Sequence, residues 1–149
     1  MSLESTINED LKNAMKARDQ VRLRGIRAIK SAILIFNTSG SGEEMSQEKE
    51  IALLQKLIKQ RQDSLDIFEK QGREDLASIE RDEIAVIMRY LPQQLSEDEL
   101  KTAIQSIISR TGAASMKDMG KVMAEASKEL AGKADGKAIS GVVKAMLGQ

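Results

Sequence analysis

Six lysines near the end of the chain, Lys117, Lys121, Lys128, Lys133, Lys137 and Lys144, are candidate phosphate contacts. Lysine is a strongly hydrated point charge that suits phosphate oxygens. Two of the six belong to the stretch GKADGK, where Gly132 precedes Lys133 and Gly136 precedes Lys137. Such a stretch is either a phosphate cradle or a tight corner between two helices. Gly132 suits a helix end and Asp135 a helix start, so the corner reading suffices for the fold. An acid at the cap also competes for the N–H groups a phosphate would need.

At helical spacing over residues 116–131, Lys117, Lys121 and Lys128 fall within about 40° of one another. Val122, Met119, Met123, Ala126 and Leu130 make a core face, and Glu125 and Glu129 lie with Asp118 on another sector. Between lysines and core runs a strip of Gly120, Ala124, Ser127 and Ala131. The last helix repeats the arrangement, with Lys137, Ser140, Gly141 and Lys144 on its outer face. Small residues let another backbone come close, and lysines beside them suit a phosphate backbone. The competing reading packs the strip against a neighbouring helix and leaves the lysines solvated, or paired with Glu125 and Glu129. Both remain open at the level of sequence.

Other chemistries are poorly supplied. With no Cys and no His, thiolate nucleophiles, imidazole bases and Cys/His zinc sites are excluded. Glu80 and Glu83 point in similar directions on one helix, an arrangement that invites acid/base or metal chemistry. Without further clustered ligands the pair is better read as structural, joined with Arg61 and Arg73 in a polar network, or with Arg22 or Lys30. No metal and no cofactor are expected. Three scattered aromatics, Phe36, Phe68 and Tyr90, cannot form a stacking platform for single strands. An RNA partner would therefore be a folded one, recognised by shape and phosphate.

The elements that position these residues are helical. The chain has 149 residues, 41% of them hydrophobic and 31% charged, which is globular and long enough for one domain or two small ones. Leu, Ile, Ala, Met, Lys, Glu and Gln dominate, the residues that lose little freedom in a helix. The fold class is all-α. Leu3, Ile7, Leu11 and Met15 mark a first amphipathic helix, and Asp19 caps a second running to about Phe36. In that second helix Leu23, Ile26, Ile29, Ile33, Leu34 and Phe36 span a broad apolar arc, with Arg22 and Lys30 inside it.

A loop, NTSGSGEEMS, leads to a long helix over 47–70, which Gly72 terminates. Leu76, Ile79, Glu83, Ile87 and Tyr90 stripe the next. Pro92 is the only proline, and Ser96 with Glu99 reads as a capping box. A boundary near 92–96 divides an N-terminal helical domain, 1–92, from a C-terminal three-helix bundle, 96–149.

Net charge is zero, with 23 basic and 23 acidic residues, which argues against a protein built chiefly to coat nucleic acid. Charge is unevenly placed, however. Residues 12–30 hold seven bases and one acid, and residues 73–83 hold five acids and two arginines, so the two segments are expected to face each other. The longest apolar run, Ala32 to Phe36, is too short for a signal core or a membrane span. A soluble cytoplasmic protein is expected.

Three segments, KQRQDSLDIFEKQGREDLASIERDEI, YLPQQLSEDEL and DMGKVMAEASKELAGKADGKAISGVVKAML, resemble the GatB/YqeY family, specifically its free-standing YqeY-like members. The resemblance covers essentially the whole chain. It rests on Arg61, Ser64, Phe68, Arg73, Leu76, Glu80, Glu83, Tyr90-Leu91-Pro92 and the closing Met-Gly-Lys and Gly-Lys-Ala-Asp-Gly motifs. It implies two all-helical parts, and a likeness to the tail of the B subunit of tRNA-dependent amidotransferases, which helps hold tRNA. The carbon–nitrogen ligase activity of those enzymes, with glutamine as amido donor, lies in other domains and subunits. By resemblance this chain has the tRNA-holding part and lacks the chemistry. Its partner would be tRNA or a larger tRNA-linked enzyme. The alternative is an adaptor that docks on another protein through the Gly120/Ala124 strip and nearby methionines.

Overall fold

The computed structural model describes residues 2–148. They form seven α-helices and no strand is found among them: α1 Leu3–Ala17, α2 Gln20–Thr38, α3 Gln47–Lys70, α4 Glu74–Met88, α5 Glu97–Thr111, α6 Met119–Glu129 and α7 Gly136–Leu147. The all-α expectation holds. The chain divides into two compact units, Met1–Leu91 and Pro92–Gln149.

The first unit contains α1 to α4. Side chains start three of its helices: Ser2 accepts from the Ser5 amide, Asp19 from Arg22 and Ser46 from Lys49, each satisfying an amide the helix leaves unpaired. The α1–α2 corner turns on Arg18, whose φ of 55° is left-handed, a conformation that strains a residue with a Cβ. Gly72 (φ 68°) turns α3 into α4 without that strain. The core gathers Leu3, Ile7, Ala14, Leu23, Ile26, Ile29, Ile33, Leu54, Val86 and Ile87. Tyr90 closes it from the α4 end, its hydroxyl donating to Asp10 Oδ2 at 2.6 Å.

Several expectations are corrected here. Met15 is 56% exposed and Ala14 is buried in its place. A four-residue spacing drifts about 40° per step around a helix, so Met15 has rotated off the face of Leu3, whereas Ala14 returns to within about 20° of it. Leu34 differs: it lies within about 20° of buried Leu23 around α2, yet near the end of that helix it is left uncovered, 62% exposed. Lys30 is exposed beside it, and Arg22 is only half-buried. On α4, Ala77 and Val86 are buried while Ile79 is exposed. The helices that carry most of the basic 12–30 and acidic 73–83 segments, α2 and α4, do pack together, but no ion pair joins the two segments among the described residues. The acids instead pair nearer home, Asp75 with Arg73, Glu74 with Arg81 and Glu83 with Arg61.

The second unit begins with Pro92–Leu95, laid against the α6–α7 corner. Ser96 and Glu99 form the capping box of α5, and Gly112 (φ 71°) ends that helix. A 3₁₀ turn, Met116–Asp118, precedes α6, so the helix expected over 116–131 is shorter at both ends. The tightening has a local cause: Ser115 accepts from the Lys117 amide while Asp118 reaches back to the amides of Ala114 and Ser115. Leu100, Ile104, Ile107, Val122, Ala126, Leu130, Ile139, Val143 and Leu147 form this unit's core.

Candidate nucleic-acid interface

The GKADGK stretch is a corner, and its polar groups are largely engaged. Gly132 is buried with a φ of 78°, where a Cβ would be strained. Its carbonyl accepts from the Gln94 side chain, and the Lys133 carbonyl accepts from the Leu95 amide at 2.9 Å. The Lys133 amide donates to Leu130, and Asp135 Oδ1 takes the Ala138 amide at 2.6 Å. An anion at this helix start would meet the Asp135 carboxylate, so no cradle forms.

The lysines themselves stand outward. Lys117 lies in the 3₁₀ turn, Lys128 on α6, Lys133 in the corner, and Lys137 and Lys144 on α7; all five are exposed and none forms an ion pair among the described residues. Lys121 differs from them. Its Nζ donates to the Thr111 carbonyl at 3.0 Å, where a cation satisfies the open carbonyls and negative dipole end of α5.

The glutamates offered as intrahelical partners do not hold the lysines. Glu129 pairs across the unit with Arg110 at 2.6 Å, and Glu125 is exposed without an ion pair among the described residues.

Gly120, Ala124, Ser127 and Gly141 are all exposed. A Cβ built on Gly120 or Gly141 would meet no atom within 4 Å. The helix-packing alternative for the strip is therefore not realised inside this unit. The surface that remains combines free ammonium groups with a low-relief backbone, which can approach a polyanion closely.

The polar residues of the first unit are only partly brought together. Arg61 Nε donates to Glu83 Oε2 at 3.0 Å and Arg61 Nη1 to the Leu57 carbonyl at 3.0 Å. The two side chains are 18% and 17% exposed. Glu80 stands beside this pair; partial burial and then the charge of Glu83 raise its carboxyl above the usual range, while Arg61 pulls it back. Arg73 is not part of the group, since its guanidinium is held by Asp75 two residues away. Sequence reasoning missed Arg81, which bridges Glu74 on α4 and Glu69 on α3, and the Tyr90–Asp10 bond. No group of three or more His, Cys, Asp or Glu able to hold a metal stands together among the described residues.

Comparison with known proteins follows the same outline. The family profile described as Yqey-like protein matches residues 4–147. Among curated proteins, the chain is similar to "Altered inheritance of mitochondria protein 41, mitochondrial" of three yeasts. The Lachancea thermotolerans protein is 34% identical over 107 residues, covering 70% of this chain and 57% of the relative. The Saccharomyces cerevisiae protein is 33% identical over 96 residues, 64% and 52% of the two chains. The Clavispora lusitaniae protein is 32% identical over 114 residues, 75% and 66%.

The chain thus spans little more than half the length of the first two relatives. Their names correct the expectation of a cytoplasmic protein, because those relatives are mitochondrial. A composition without cysteine or long apolar runs suits either compartment and selects neither. With nearly its whole length matched by one profile, the chain belongs to the YqeY-like protein family.

Proposed function

We propose that the second unit binds folded RNA through its lysine surface, with tRNA the first candidate, and that the chain acts as a non-catalytic module of the kind that assists tRNA-dependent amidotransferases. The observation that carries this reading is the set of five exposed lysines, without an ion pair among the described residues, beside an exposed strip of small residues. Lys121, expected among the phosphate contacts, is reassigned to holding α5. Two compact units are consistent with an N-terminal helical domain and a separate RNA-holding bundle. Carbon–nitrogen ligase chemistry is assigned to the larger enzyme and not to this chain.

A gel shift against total tRNA over a salt series tests the proposal, using the native chain and the triple variant Lys117→Glu, Lys128→Glu, Lys137→Glu. The native chain should retain tRNA at low salt and the variant should not. Equal retention by both would sink the proposal. The adaptor reading, docking of a protein partner on the same strip, is favoured by the exposure of Met116. It predicts binding that changes little with salt.

A further inference from the structure

The first unit carries a groove that the lysine surface does not explain. It lies between α2 and α3, has a volume of about 500 Å³, and is walled by Ala32, Ile35 and Phe36 on one side and Ala52, Leu53 and Leu57 on the other. At the loop end Lys49 stands 5.7 Å over the Phe36 ring and pairs with Glu43 at 2.8 Å. That end is therefore charge-neutral. Farther along, the α3 rim carries Lys56, which is exposed and without an ion pair among the described residues.

The helix α2 that forms the other wall is cationic overall. From Gln20 to Thr38 the helix has four basic residues, Arg22, Arg24, Arg27 and Lys30, and no acid. None of the four forms an ion pair among the described residues. At helical spacing Arg24 falls on the same line as Ala28 and Ile35, beyond the residues that wall the groove and about 12 Å along the axis from Ala32, within reach of a helix of about 20 residues laid along it. Meanwhile Ile35 is 69% exposed. A low-relief phosphate contact would have no use for such an aliphatic edge.

We infer that this groove docks an amphipathic helix of a partner protein, one with an apolar stripe flanked by acidic residues. The stripe would lie along Ala32, Ile35, Leu53 and Leu57 as an i, i+3, i+4, i+7 pattern. Its acids would meet Lys56 and Arg24, and the neutral Glu43–Lys49 end would face its uncharged turn. Charge complementarity on both rims sets which helices fit, and like charges there reject basic ones.

The test is a displayed library of helix-forming peptides of about 20 residues, panned against the full chain. Recovered peptides should share the spaced apolar residues and flanking acids. Their affinity, by fluorescence anisotropy, should fall at least about tenfold for Ile35→Asp and for Lys56→Glu, and stay unchanged for Lys144→Glu. Both groove positions are exposed, so thermal unfolding should confirm that the variants fold. Recovery of no peptide, recovery of peptides without acids, or binding that survives both groove substitutions would overturn the inference. So would displacement of the peptide, with the same sensitivity to Ile35→Asp and Lys56→Glu, by total tRNA or by vesicles of equimolar phosphatidylserine and phosphatidylcholine.

Discussion

Glu80 shows how one carboxylate can work against the fold. Its folded pKa is raised, by partial burial first and by Glu83 second. Between the unfolded value near 4.5 and the higher folded value, the native state binds more protons than the unfolded one. Stability therefore falls as pH rises through that window and stays lower at neutral pH. Glu80→Gln should be more stable than the native chain at pH 7 and equal to it at about pH 3, as urea unfolding at the two pH values would show. A loss at pH 7 would mean that Glu80 makes a favourable contact with Arg61 after all. Tyr90 is the opposite case, a polar group well served by its surroundings. Burial and the bond to Asp10 both raise its phenol, and Tyr90→Phe should cost about 1.5 kcal/mol because it strands a carboxylate partner. Of these details only the Arg61–Glu83 pairing could be anticipated, and then as one of several options. Tyr90 and Asp10 are 80 residues apart, and no local pattern links them.

Between elements, α2 and α4 approach closely at Gly25. A Cβ there would lie 2.5 Å from Val86 Cγ1 and 2.7 Å from Val86 Cβ. Gly25→Ala should lose about 1–3 kcal/mol from overpacking, more than the roughly 1 kcal/mol that alanine gains in helix propensity. Adding Val86→Ala should restore part of the loss in a double-mutant cycle by thermal unfolding; additive losses would place the strain elsewhere. A glycine inside a helical pattern reads locally as a weak point. Its packing role depended on a residue 61 positions later and was not visible in sequence. Helix ends were far more legible, because Asp19, Ser96, Gly112 and Asp135 act on amides or carbonyls a few residues away. Met15 was misplaced because a stripe drawn at four-residue intervals wanders off the face that the neighbouring helix covers, and Leu34 because the neighbours that cover Leu23 on the same side of α2 do not reach it.

Over the whole molecule, formal charge cancels, so long-range attraction to a polyanion is weak and any RNA binding must come from the local lysine surface. Neutralising about five phosphates predicts a slope of roughly −4 for log affinity against log salt. The measurement is tRNA binding by the native chain across the salt series. A slope near zero would favour the protein-docking reading of that strip. The two proposed surfaces are separable by mutation, since Lys137 and Ile35 belong to different units.

Legible in the residues alone were the helical class, the capped helix ends at Asp19, Ser96, Gly112 and Asp135, the family, and the glycine-and-aspartate corner at GKADGK. These follow from signals that act within a turn or two of the residue concerned, or from motifs read in order. Only the tertiary structure decided which lysine is held and which are free, and which apolar residues line a groove instead of the core. Lys121 looks like its neighbours until the end of α5 is placed beneath its ammonium group, and Phe36 belongs to the expected apolar arc of α2 until α3 is seen to leave it walling a groove. Whether a side chain is used up or left available depends on what packs across from it, and that partner comes from a distant part of the chain.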